Sequence, residues 1–158
     1  MTPTQTSRQG VPAYTRPKIV QQALRLMEKT IRDTPLLNSP LAVRDYLRLQ
    51  LADRPHEVFA VLFLNAQNQV IEFVEMFRGT LTQTSVYPRE VVIEALARNA
   101  AAVILTHNHP SGKPDPSVAD EILTHAIKAA LTVVDVDMLD HFIVTRRDVY
   151  SFAENRRL

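Results

Sequence analysis

Two short, continuous apolar segments constrain the fold of this chain more than any other feature. Val58–Leu64 and Ala101–Thr106 carry apolar side chains at nearly every position, without alternating polar residues. A strand that is apolar on both faces lies in the interior of a sheet that is covered on both sides. Segments with apolar residues three and four apart, the helical pattern, surround both strands. The sequence therefore predicts a three-layer α/β domain, with a mixed β-sheet flanked by helices.

Periodicity and boundary signals predict the other elements. Helices are expected where a proline or a capping hydroxyl precedes an apolar stripe, since proline suits the first turn and the hydroxyl accepts an unpaired N–H. The predicted helices are 17–33, 39–52, one that begins at Pro88, and 117–131. The other predicted strands are 70–77, 134–138, 141–144 and 149–152, with a short edge strand within 79–87.

The apolar stripes also predict which face of each helix is buried. The expected inner residues are Val20, Leu24, Met27 and Ile31 in the first helix, Val92, Ala95 and Leu96 in the third, and Val118, Ile122, Ala126 and Ala130 in the fourth.

Length and composition predict a single globular domain in the cytoplasm. The chain has 158 residues, of which 46% are hydrophobic and 22% charged, as in ordinary globular proteins. Its longest apolar runs are too short to cross a bilayer, and its start lacks the apolar core of a secretion signal. We expect a polar, flexible tail over 1–16, a helix and linker over 17–38, and the functional domain over 39–158. A net charge of +1 gives no overall attraction to nucleic acid or membranes.

The chain contains 0 cysteines, which narrows its possible chemistry. Disulfides, a cysteine nucleophile and thiolate metal sites are excluded, so any metal must be bound by histidines and carboxylates. A nucleobase deaminase needs a P-C-x-x-C zinc signature, and this class is excluded for the same reason.

The segment from His107 to Asp120 carries the metal-binding pattern. His107 and His109 are two residues apart in an extended segment, so both imidazoles project to the same side. A stiff loop with three prolines and one glycine then leads to Asp120 in the first turn of a helix. Three such ligands leave a fourth zinc position open for a water molecule, which is the mark of a catalytic site.

Each half of this pattern also has a simpler interpretation. A His-x-His pair alone is more often structural than metal-binding. Ser117-x-x-Asp120 also matches a helix N-cap followed by an acidic residue near the positive end of the helix dipole. The two roles of Asp120 are compatible, and the joint occurrence of both pairs after a buried strand favours a metal site.

The combined motif resembles a known family. His-x-His-Pro followed by Ser-x-x-Asp is similar to the JAMM motif of the JAB (MPN+) metalloproteases. HNHPSG with PSVAD, together with FRGTL, PREVV and LDHFIV, resembles the RadC family in particular, over about 39–158. This resemblance implies a deaminase-like α/β fold, a zinc site and hydrolysis of a peptide or isopeptide bond by a zinc-bound water. Other divalent metals also suit such ligands.

The resemblance also assigns roles to individual residues. It implies that His107, His109 and Asp120 bind zinc, and that Ser117 stabilises the oxyanion. Glu57, at the start of the first central strand, matches the catalytic glutamate. No local spacing ties Glu57 to the histidines, so a solvated carboxylate at a strand start is the alternative, with Glu75 as the second candidate for the base.

Other features depart from the family or leave the partners open. Tyr87 stands where many relatives have histidine, and only about 38 residues precede the matched domain. The helix–hairpin–helix-like region of full-length relatives is therefore expected to be absent, which weakens a DNA-repair interpretation of this chain. A DNA-associated protein and a non-catalytic MPN-type scaffold remain the rival hypotheses. The expected partner is a protein or peptide substrate, and the oligomeric state is open. His56 and His125 are expected at the surface, and His141 in structural hydrogen bonds.

Overall fold

The structure is a computed structural model that describes residues 14–33, 35, 39–79 and 86–158. These residues form four helices and five strands. The helices are α1 (Lys18–Asp33), α2 (Pro40–Leu51), α3 (Pro88–Ala97) and α4 (Val118–Val133).

The strands are β1 (Val58–Leu64), β2 (Val70–Arg78), β3 (Ala102–Asn108), β4 (Asp137–Val144) and β5 (Val149–Ser151).

The strands form one mixed sheet in the order β2-β1-β3-β4-β5. Only the β3–β4 pair is parallel among the described pairs, and the other pairs are antiparallel. Parallel neighbours need a crossover, which α4 provides between them. Every residue of β1 and β3 is buried. The predicted mixed α/β architecture and its two central strands are confirmed.

Alternate residues of β1 face two separate hydrophobic cores. Leu62 and Leu64 pack with α1 and α2 on one side of the sheet. Phe59 and Phe63 pack with residues of α3 and α4 on the other side. The side-chain period of two in a strand explains this division, and the result is three layers, with helices on both faces.

The predicted inner face of α4 is wrong. Val118 and Ile122 are 73% and 66% exposed, and Ala126 is also exposed. The buried face carries Asp120, Thr124, Ile127 and Leu131. The outward stripe is as apolar as the inward one, so periodicity selected the wrong stripe. The inner face of α3 also differs from the prediction. Leu96 was expected to be buried and is exposed, whereas Val91 is buried.

Several predicted boundaries also need correction. β3 continues past the predicted end at Thr106 and includes His107 and Asn108. The two strands expected over 134–138 and 141–144 are one strand, β4, and it starts at Asp137 because Asp135 adopts a positive φ of 57° in a turn. Ser39 occupies the N-cap of α2 without a side-chain cap hydrogen bond. The edge strand expected within 79–87 falls mainly on residues 80–85, outside the described part of the chain.

The two faces of α4 predict opposite responses to truncation. Ile127→Ala removes a fully buried side chain and is expected to lower the free energy of unfolding by about 3 kcal/mol. Ile122→Ala, the same change on the same helix, is expected to change it by less than about 0.5 kcal/mol. Urea denaturation of both variants measures the difference, and equal losses would contradict this orientation of the helix.

Among the described residues, no helix combines the length and the apolar character that crossing a membrane requires.

Candidate metal centre

The two histidines of the motif lie at the carboxyl end of β3. His107 is within the strand, and the backbone N–H of His109 donates to the Val144 carbonyl of the neighbouring strand at 3.0 Å. This hydrogen bond keeps the chain extended through His109, so both imidazoles project to the same side. The central strands of the sheet therefore hold the pair in place.

A tight turn directs the chain from His109 towards α4. The N–H of Gly112 donates to the His109 carbonyl at 3.0 Å, and Gly112 has a φ of 83°. This left-handed conformation suits glycine, because a Cβ there is strained.

The Nδ1 of His109 lies 2.8 Å from the Lys113 carbonyl, which accepts hydrogen bonds only. Nδ1 is therefore the donor, and the Nε2 of the neutral ring has a free lone pair.

Three ligand atoms converge within a small volume. The Nε2 atoms of His107 and His109 are 2.9 Å apart. Asp120 places Oδ1 3.3 Å from the Nε2 of His107 and Oδ2 3.4 Å from the Nε2 of His109. The side chains of His107 and Asp120 are 0% and 2% exposed, and that of His109 is 12% exposed. The described residues thus bring together the three predicted ligands in a group that can hold one metal ion.

Asp120 takes part in a capping box as well. The Ser117 Oγ accepts the Asp120 N–H at 3.1 Å, and Asp120 Oδ2 accepts the Ser117 N–H at 2.7 Å. The capping interpretation of this pair is therefore confirmed together with the proximity of the carboxylate to the imidazoles. Because the Ser117 Oγ accepts in the cap, its own hydrogen is not used there.

The electrostatics of the group favour a cation between its members. Burial would raise the pKa of Asp120, but the close contacts of its carboxylate with the His107 and His109 rings outweigh it and hold the pKa well below its usual range. Burial would lower the pKa of His109, but the Asp120 carboxylate and the Lys113 carbonyl raise it overall. A carboxylate that is ionised at neutral pH therefore faces two ring nitrogens at a largely buried position.

The other side of His107 contacts His141 of β4, which in turn contacts Thr124 of α4. Its Nδ1 lies 2.8 Å from the Nε2 of His141, whose Nδ1 lies 2.6 Å from the Thr124 Oγ1. Structural hydrogen bonding was expected for His141 and is confirmed. Thr124 was missed, although its position four residues after Asp120 places it on the same face of α4.

The register of β1 brings Glu57 to the histidines. Phe59 pairs with His107 in the antiparallel β1–β3 ladder, so Glu57, two residues earlier, comes to the level of His109. Its Oε1 lies 3.8 Å from the His109 Nε2. Glu75 instead forms ion pairs with Arg54 and Arg78. Of the two glutamates considered for the base, only Glu57 lies beside the imidazoles, and its catalytic role stays a prediction.

A cavity of about 500 Å³ adjoins His109. Its walls include Arg54, Arg146 and Arg147, and the described residues that line it include no carboxylate. The cavity offers room for a ligand next to the three converging side chains.

Acid is expected to destabilise the metal-free protein through His141. Burial and the neighbouring His107 lower the pKa of His141 well below its ordinary value of 6.5. Below pH 6.5 the unfolded chain binds a proton at this residue and the folded chain does not, so the stabilisation is complete above pH 6.5 and is lost as pH falls. The drop in the urea midpoint between pH 7.5 and 5.5 should be smaller in His141→Phe than in the wild-type protein. His125→Phe, at an exposed position of α4, should retain the wild-type drop; equal drops in all three proteins would contradict the assignment.

Comparisons with known proteins agree with this geometry. A family model described as RadC-like JAB domain matches residues 37–157. A UPF0758 protein of Methylibium petroleiphilum is 61% identical over 136 residues, which make up 86% of this chain and 61% of the relative. UPF0758 proteins of Polaromonas sp. and Leptothrix cholodnii are 57% and 59% identical, with the same coverage. The chain spans about three-fifths of the length of these curated relatives. The chain belongs to the RadC-like JAB domain family, as its motif predicts.

Proposed function

We propose that this domain is a zinc-dependent hydrolase of the JAMM type that cleaves a peptide or isopeptide bond. The observation that carries the proposal is the convergence of two ring nitrogens, 2.9 Å apart, on one ionised carboxylate. At this distance the two nitrogens need a shared hydrogen or a cation between them, because two facing lone pairs would repel each other. Imidazole nitrogens with one carboxylate oxygen are a ligand set that suits zinc.

Two features favour a catalytic site over a structural one. Structural zinc sites have four protein ligands, whereas three converge here among the described residues. The site also adjoins the cavity beside His109, so a substrate has access to it. Both features support a reaction at this position.

In the proposed mechanism the bound zinc would supply Lewis-acid polarisation and lower the pKa of a water molecule towards 7. Glu57 accepts the proton of the attacking water and passes it to the leaving amine, as its position 3.8 Å from the His109 Nε2 allows. The Ser117 hydroxyl donates its free hydrogen to the carbonyl oxygen as negative charge develops there. A well-placed donor of this kind contributes about 3–4 kcal/mol.

Metal analysis followed by substrate profiling tests the proposal. We expect about one zinc ion per chain, and chelator-sensitive cleavage of a peptide or an isopeptide-linked lysine in mixed libraries read by mass spectrometry. His109→Ala should lose both metal and cleavage, whereas His125→Ala, on the exposed face of α4, should retain both. A His109→Ala protein with full metal content and activity would refute the proposal. Full zinc content without any turnover would favour the scaffold hypothesis.

DNA association is the second candidate, and one observation favours it. Arg146 and Arg147 place positive charge in the wall of the cavity, although the chain as a whole has a net charge of only +1. Salt-sensitive binding of an oligonucleotide, weakened by Arg146→Gln with Arg147→Gln, would support this candidate. Absence of oligonucleotide binding at low salt would exclude DNA association.

A further inference from the structure

We propose that His141 and Thr124 hold the ring proton of His107 on Nδ1, so that its Nε2 lone pair faces the metal position before any ion binds. The inference rests on the proposed metal centre, and it adds two positioning residues that act through His107.

The argument starts from a group whose hydrogen-bonding role is fixed. The backbone carbonyl of Asp120 accepts hydrogen bonds and never donates them. The Thr124 Oγ1 lies 2.6 Å from this carbonyl oxygen, so the single hydroxyl hydrogen of Thr124 is used there. The same Oγ1 lies 2.6 Å from the Nδ1 of His141 and must accept in that contact. His141 therefore carries its hydrogen on Nδ1.

The direction of the His141–Thr124 hydrogen bond determines the direction of the hydrogen bond between His107 and His141. A neutral imidazole has one N–H group and one acceptor nitrogen. The Nε2 of His141 is thus an acceptor, and the Nδ1 of His107, at 2.8 Å, donates to it. The Nε2 of His107 then has a free lone pair at the point where His109 and Asp120 converge.

The opposite direction of the hydrogen bonds that join Thr124, His141 and His107 is unfavourable. It would place two oxygens, the Thr124 Oγ1 and the Asp120 carbonyl, 2.6 Å apart with no hydrogen between them. It would also place a hydrogen on the Nε2 of His107, where it would block metal binding. The Asp120 residue therefore contributes twice: its carboxylate faces the histidines, and its carbonyl orients one of them.

Burial and packing keep the chain of hydrogen bonds in place. His107, Thr124 and His141 are all 0% exposed. The ring of His141 stacks on Phe152, with ring centroids 4.8 Å apart. The arrangement thus prepares His107 for the ion. Loss of such an outer hydrogen-bond partner commonly weakens metal binding by about 10–100-fold.

Four variants test the inference with two measurements. One measurement is the tautomer of His107, read from ¹H–¹⁵N correlation spectra of the metal-free protein at pH 8. The other is zinc affinity, measured by competition with a chromophoric chelator. His141→Phe keeps an aromatic ring but removes both hydrogen bonds, and His141→Gln offers one acceptor and one donor on its amide. Thr124→Val removes only the hydroxyl, and His125→Phe is the matched control on the exposed face of α4.

We expect wild-type His107 to carry its hydrogen on Nδ1, and His141→Phe to bind zinc about 10–100-fold more weakly. His141→Gln should recover affinity to within about threefold of the wild-type protein, because its amide restores an acceptor for His107. Thr124→Val should yield a mixture of His107 tautomers, and His125→Phe should match the wild-type protein in both measurements. A general loss of packing would not be rescued by glutamine.

Two results would overturn the inference: a wild-type His107 with its hydrogen on Nε2, or a His141→Phe protein with unchanged tautomer and affinity. If His141→Phe does not fold, Thr124→Val decides, since valine has nearly the shape of threonine. The tautomer is measured without metal, so this inference and the proposed zinc site fail separately. A correct tautomer in a protein that binds no zinc would leave the inference standing and refute the proposed function.

Discussion

Asp120→Ala is expected to reduce zinc content from about one ion per chain to a small fraction of that, and to abolish hydrolysis. Asp120 supplies the carboxylate 3.3 and 3.4 Å from the two Nε2 atoms, and two imidazoles alone form a weak site. Loss of one of three ligands should weaken zinc binding by more than the 10–100-fold seen for outer partners, so about 1,000-fold is expected. Elemental analysis after dialysis and chelator competition measure the effect.

Ser117→Ala is the control that separates metal binding from helix capping. It removes the Ser117 half of the capping box and leaves the Asp120 carboxylate in place, at a cost of about 1 kcal/mol in stability. Its zinc content should remain near that of the wild-type protein. If both variants lose zinc to the same extent, the cap and not the carboxylate determines the site, and the assignment of Asp120 as a ligand is wrong.

Glu57→Gln is expected to retain zinc and to lower kcat by about 100–10,000-fold, the usual contribution of a general base. The amide keeps the size of the side chain but cannot accept and return a proton. Glu75→Gln is the matched change one strand away. It should affect stability more than catalysis, because Glu75 pairs with the buried Arg54 and with Arg78.

Steady-state kinetics and unfolding curves on both glutamate variants decide between them. The opposite pattern, in which Glu75→Gln abolishes turnover while Glu57→Gln is fully active, would identify Glu75 as the base. Equal and small effects of both would exclude a carboxylate base from these two positions.

The parts of the fold that follow from local sequence could be predicted. The continuous apolar character of β1 and β3 identified the central strands, because a strand covered on both faces carries apolar residues at consecutive positions. The inner face of α4 could not be chosen, since Val118 and Ile122 form an outward stripe as apolar as Ile127 and Leu131. Which stripe is buried depends on how the helix packs on the sheet, and that is a tertiary property.

The candidate site also contains residues that could be predicted from the sequence and residues that could not. His107, His109 and Asp120 lie within one short segment, so their spacing alone indicates that they converge. Glu57 is brought to the site by the register of the β1–β3 ladder, which no sequence spacing encodes, and only the family resemblance pointed to it. Thr124 and His141 were not assigned to the site because threonine and histidine are ordinary residues in a core, and their roles depend on individual hydrogen bonds.

The double use of the Asp120 carboxylate limits how this centre can be transplanted. The Asp120 carboxylate accepts the Ser117 N–H at the start of α4 and also faces the imidazoles. The three ligands therefore depend on the helix start and do not form an independent unit. A designed protein that copied only the three side chains would leave the aspartate free to rotate. A faithful copy needs the helix start whose backbone N–H holds this carboxylate, together with the strand end that presents the two rings.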